Sequence, residues 1–319
     1  MSKLRKKYSS NSGFLFGNFV KLILLVVAII SFSLAFFYDQ INQKINEIYP
    51  IGVKNENCLE QFYRGIPPYL NKESLKKYTY PLCFNNFSLM YSGISKTPLW
   101  TAEYLTKKRL TKNVQNEFQF YEEERISFSH RSKLSDYRGT GYIRWRSAPK
   151  ADMPSEEAKR DSHSLANVIP VAKLEPLVQV EYLIRGMVFK TNADIYVISG
   201  PIFSNKKLIR LGSGVIVPNA LFKAVYIPKT GTVGAYFIEN SRLSSSKINV
   251  VSICFIEEIT GVNLFPQLTE DQKRNTYTLP LSQNDLQSAK EIEYSFWDSE
   301  SQCEADVSKE DIKQLQEDF

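Results

Sequence analysis

Asp136-Tyr137-Arg138-Gly139-Thr140-Gly141-Tyr142-Ile143-Arg144-Trp145-Arg146-Ser147-Ala148-Pro149 is the stretch on which the reading of this chain turns. Residues 141–146 within it read as a strand that carries Arg144, Trp145 and Arg146. Further strand-like segments fall at 87–91, 195–199, 214–217, 222–227 and 234–238. Helical patterns interrupt them. Ser155 is placed to cap a helix over 155–165 ahead of Glu156 and Glu157, and 174–188 carries apolar residues at three- and four-residue steps. A chain of 319 residues, 43% hydrophobic and 23% charged, can bury one large core of this mixed kind.

The net charge of +6 and a pI near 8.9 favour contact with polyanions or acidic lipid. A basic head, 1–13, holds Lys3, Arg5, Lys6 and Lys7. It precedes an apolar run, 14–38, broken only by Lys21, long enough to form a transmembrane helix. The positive-inside tendency keeps the head in the cytoplasm and exports the rest of the chain, giving a single-pass inner-membrane protein with its domain in the periplasm. Ser33-Leu34-Ala35 leaves open a cleaved signal peptide instead. Residues 39–57 then read as a polar spacer in which Ile41, Ile45 and Ile48 keep near-helical spacing.

Four cysteines fit an oxidising compartment, and Cys58 with Cys83 is expected to form a disulfide. Cys254, in the apolar run 250–256, reads as a buried thiol, and no cysteine spacing matches a zinc site. The tail, 269–319, is acidic and polar and is expected to be partly disordered, apart from a helix over 308–318 capped by Ser308.

The opening stretch resembles the DNA/RNA non-specific endonucleases of the ββα-metal (His-Me finger) class, whose signature is Asp-Arg-Gly-His-x-Ala-Pro where this chain has Ile143-Arg144-Trp145-Arg146-Ser147-Ala148-Pro149. Residues 91–106 are similar to the strand and turn that begin the family's core, and Leu165-Ala166-Asn167-Val168-Ile169-Pro170 to its Leu-Ser-Asn-Met-x-Pro. Lys173, Leu177, Val180, Glu181 and Arg185 correspond to the family helix Asn-x3-Trp-x2-Leu-Glu-x3-Arg. Matches at 197–203, 222–226, Asn240 and 260–266 extend the resemblance over 58–268, and the positions of Cys58 and Cys83 look like those of exported bacterial members.

The resemblance implies an α+β fold with a central, mainly antiparallel sheet flanked by helices. It also implies a mechanism: a histidine takes a proton from water, and one divalent ion held by an asparagine offsets charge on the phosphate. Arg146 stands at the histidine position and, always protonated, accepts no proton. Lys173 stands at the asparagine position and has no lone pair for a cation.

The expectation is therefore a catalytically impaired nuclease. Arg144, Arg146, Glu181 and Arg185 occupy its catalytic positions, and Arg144, Trp145, Arg146, Lys173 and Arg185 remain to grip nucleic acid. Trp145, where the family has glycine, is expected to stack on a base or block the cleft. Asn167 is expected to be scaffold, and Lys173 to stand near the ion position with Glu181 as its partner. No cofactor is expected, and Mg2+ only if the site works. His130 and His163 are both expected outside the chemistry. Expected partners are DNA or RNA, the membrane, envelope proteins and a second copy of the chain. Two alternatives stay open: an active metal-dependent endonuclease with a rearranged site using His163 or Glu181 as base, and a protein-interaction module, through the 269–319 tail, that binds no nucleic acid.

Overall fold

Fifteen strands occur among the residues that the computed structural model describes. Those residues are 58–112, 116–204, 207–242, 247–287 and 291–319, with Lys21, Leu24, Leu25, Val27, Ser31 and Ser33. In chain order the strands are β1 (Tyr69–Leu70), β2 (Thr79–Phe84), β3 (Phe87–Ser92), β4 (Thr97–Leu105) and β5 (Ile143–Arg146). Next come β6 (Val168–Val171), β7 (Ile195–Ile202), β8 (Arg210–Leu211), β9 (Val215–Ile216) and β10 (Ala220–Ile227). The last are β11 (Thr232–Glu239), β12 (Ile248–Val251), β13 (Val262–Asn263), β14 (Asn275–Tyr277) and β15 (Tyr294–Trp297). The anchor expected at 14–38 and the spacer at 39–57 lie almost wholly outside the described residues. Among the described residues no helix is long and apolar enough to cross a membrane.

Seven strands form one sheet in the order β12-β11-β10-β7-β4-β3-β2, with every neighbouring pair antiparallel. Its central strands are buried on both faces, so side-chain alternation sorts residues between two cores. In β10, Phe222, Ala224 and Tyr226 enter one core with Trp100 and Phe62, while Leu221 and Val225 enter the other. Lys223 shares the second face. Gly200 in β7 is required where strands approach closely, since a Cβ there would lie 2.5 Å from the Leu99 carbonyl oxygen.

The helix Glu175–Thr191 covers the second face, burying Leu177, Val180, Ile184, Met187 and Val188 at helical spacing. It follows β5 and β6, which pair only with each other, from Ile143 opposite Val171 to Arg146 opposite Val168. Strand, strand and helix form a ββα unit laid on the sheet, so the resemblance predicted the architecture correctly.

Cys58 and Cys83 form a disulfide with Cα atoms 5.6 Å apart. The expectation for Cys254 is corrected: it is joined to Cys303, Cα atoms 4.1 Å apart, so neither is a thiol. Closing loops of 25 and 49 residues contributes about 3–4 kcal/mol each in the chain-entropy account.

Over its described residues, 269–287 and 291–319, the tail is folded, against the expectation of partial disorder. Beyond β13 the chain adds the antiparallel pair β14 and β15 and the helix Lys309–Asp318, capped by Ser308 accepting from the Asp311 amide. Phe319 packs against Phe62 and Trp100, with ring centroids 5.4 and 5.6 Å away. The tail is polar in composition, but its few apolar side chains land on the core and its backbone finds partners in the domain. Buried Glu257 accepts from the amides of Leu264 and Glu304, and Asn263 donates to the Ala305 carbonyl.

Candidate functional site

β5 places Arg144 and Arg146 on one face and Trp145 on the other, because successive side chains in a strand point to opposite sides. Trp145 is 3% exposed and its indole Nε1 donates to Glu181 Oε1 at 2.7 Å. The expected role for Trp145 is thereby corrected: a ring sealed between β5 and the long helix reaches no base.

Arg146 donates from Nη1 to His163 Nε2 at 2.7 Å. His163 Nδ1 lies 2.7 Å from the Lys159 carbonyl oxygen, which accepts only, so Nδ1 carries the proton and Nε2 offers its lone pair to Arg146. Burial, with the charges of Arg146 and Lys150, holds the imidazole below its ordinary pKa and keeps it neutral. The expectation that both histidines stand apart thus fails for His163. A buried turn brings it to the site, with Tyr121 N donating to its carbonyl and Leu165 N donating back to Tyr121. His130 fits the expectation; it bonds the Tyr80 hydroxyl at 2.6 Å, beside the β2–β3 hairpin.

Asn167 holds the adjoining loops together. Its side chain accepts from the Ala148 amide and donates to the carbonyls of Ala148 and Ser162, at 2.9–3.0 Å.

Behind β5 lies a buried charge cluster of which only Glu181 and Arg185 were singled out in the sequence. Arg185 bridges to Asp152 at 2.9 Å. Arg109 pairs with Glu103 at 3.2 Å and donates to the Asp152 carbonyl. Lys223 donates to Ser199 Oγ and the Ser147 carbonyl, and stands 5.2 Å from the centre of the Trp145 ring. The available signal was a charged residue inside an otherwise apolar strand, as with Glu103 in β4 and Lys223 in β10.

Burial raises the Glu181 carboxyl above its ordinary value against the opposing charge of Lys223, and pushes Glu103, next to Asp152, up to about 8. A carboxyl raised on folding keeps its proton where the unfolded chain has lost it. Its stabilising contribution is therefore complete below the unfolded pKa near 4.5 and disappears as pH rises through about 8. The unfolding free energy from urea titration should fall between pH ~5 and ~8.5, by at most about 1.4 kcal/mol per pH unit from this group, and Glu103→Gln should flatten that fall.

The carboxylates of this cluster are already engaged and poorly placed to hold a divalent ion. Glu181 Oε1 is taken by Trp145, and Asp152 by Arg185. The outward face is instead cationic and aromatic. Arg144 and Arg146 lie 4.5 and 5.6 Å from the Phe120 ring centre, and Arg242 lies 4.3 Å from that of Tyr142.

Comparison with known proteins bears on the family and the fold. The chain is 26% identical over 219 residues to the mitochondrial nuclease EXOG of Danio rerio, covering 61% of this chain and 64% of that protein. It is 26% identical over 218 residues to the mitochondrial nuclease of Saccharomyces cerevisiae, covering 59% of this chain and 66% of that one. It therefore spans slightly under two thirds of either relative. Its fold matches a chain of the solved EndoG/EndoGI complex with a TM-score of 0.55 at 21% identity, over 63% of this chain and 94% of that chain. The model of the family described as DNA/RNA non-specific endonuclease matches residues 68–271, and this chain belongs to that family.

Proposed function

We propose that this protein is a membrane-anchored, exported nuclease-like module that grips nucleic acid and has lost the ability to cut it. The observation that carries the reading is Arg146: a permanent cation at the family's histidine position, with its Nη1 hydrogen bond occupying the lone pair of the nearby imidazole. Relatives named as nucleases support the nucleic-acid half of the reading, and the outward guanidiniums of Arg144, Arg146 and Arg242 offer phosphate contacts. Two disulfides and the basic, apolar amino-terminal sequence support an inner-membrane anchor with the domain in the periplasm. The working boundaries are 14–38 for the anchor, 58–268 for the nuclease-like domain and 269–319 for the tail.

One rival reading is an active nuclease with a rearranged site, favoured by the presence of His163 at Arg146; Mg2+ would be its cofactor. The test of binding needs no turnover. Full-length protein in detergent should retain DNA at low salt, with affinity falling steeply as salt rises, and Arg144→Ala or Arg242→Ala should each reduce the slope of log K against log salt by about 1. No retention at low salt overturns nucleic-acid binding in favour of a protein-interaction module.

A further inference from the structure

We infer that the outward face of β5 is a track for single-stranded nucleic acid, with base stacking as well as phosphate contact. The inference rests on the nucleic-acid reading above and adds to it the strandedness of the ligand.

The face is an alternation of cations and rings. Tyr142, Arg144 and Arg146 share one side of an extended segment, where side chains recur about every 6.6 Å. Phe120 lies against both Arg144 and Arg146, and Arg242 lies against Tyr142. The series along the surface is thus Arg146, Phe120, Arg144, Tyr142, Arg242.

Both rings are half-buried and rest on the same apolar cluster, which includes Tyr137, Val168 and Val215, so they are held in place while part of each faces solvent. Phe120 is fixed through its neighbour Tyr121, which pairs with Ser164 in an isolated bridge. Arg242 is fixed by donation to the Thr140 carbonyl at 3.1 Å. Two acidic groups act on Arg146: buried Glu181, held behind the strand by Trp145, and Glu117, whose carboxylate is paired with Lys150. Fixed charge alone would serve a duplex as well as a single strand. Rings interleaved with guanidiniums serve only a strand whose bases are free to leave one another, because in a duplex those faces are already stacked.

Each base–ring stack removed should weaken binding about 5- to 150-fold. The probes are a fluorescein-labelled single strand of about 16 nucleotides and its blunt duplex, added to the full chain in detergent with EDTA and read by anisotropy at about 50 and 200 mM salt. The single strand should bind at least about tenfold tighter than the duplex. Phe120→Leu and Tyr142→Leu should each weaken single-strand binding by the stated factor and duplex binding by less than about threefold, with Phe120→Tyr restoring it. Equal affinity for the two probes in the unaltered chain, or ring variants that weaken both alike, overturns the inference while leaving nucleic-acid binding intact. Retention of neither probe at the lower salt overturns both.

Discussion

Supercoiled plasmid incubated with the full chain and magnesium or manganese, between pH about 5 and 9, should be cut at least 10²- to 10⁴-fold more slowly than by a histidine-bearing relative, about the worth of a general base. Three groups stand where a base would be needed in the proposed reading, and each is already engaged or unsuited. Arg146 is a guanidinium with no lone pair to offer. His163 is neutral, but its Nδ1 proton faces Lys159 O and its Nε2 lone pair faces Arg146, and it is 2% exposed. Glu181 is buried and held by Trp145. The informative variant is the triple change Trp145→Gly, Arg146→His, Lys173→Asn, which frees Glu181 and supplies both an imidazole and a cation ligand. Metal-dependent nicking by the triple variant alone supports an inactivated site. Clear turnover by the unaltered chain that disappears with Arg146→Ala or Glu181→Ala overturns it.

The largest loss of stability is expected from Glu257→Ala, about 3–5 kcal/mol, because removing one partner of a buried ion pair strands the other. Lys273 is 2% exposed and lies 3.0 Å from Glu257, keeping only Asn263 Oδ1 once the carboxylate is gone. The same change leaves the Leu264 and Glu304 amides without their acceptor and loosens the tail next to Cys303. Urea unfolding of the full chain measures it. Removing both charges with Glu257→Leu and Lys273→Met should cost less than Glu257→Ala alone, since no buried charge is then unpaired. Equal losses would show that the ion pair is not what Glu257 provides.

The family and the ββα core were legible in the sequence because they depend on local order. The segments 165–170 and 173–185 keep the family's spacing, and the apolar steps of 174–188 can be satisfied only by a helix packed on one face. The tail misled because composition was read in place of position. Its polarity is real, yet Leu279, Leu315 and Phe319 are each under 9% exposed. Cys303 is polar in context and informative only when Cys254 is seen beside it.

The sequence by itself determined that residue 146 carries a guanidinium and residue 173 an ammonium, since protonation chemistry belongs to the side chain wherever it folds. Tertiary structure alone decided what the side chains touch: that Trp145 turns inward onto Glu181, that His163 crosses 17 positions of chain to meet Arg146, and that Phe120 and Arg242 converge on β5. Each of these rests on strand facing and on contacts between residues far apart in sequence. A pattern of residue types does not carry that information, because the partner of a side chain is chosen by packing.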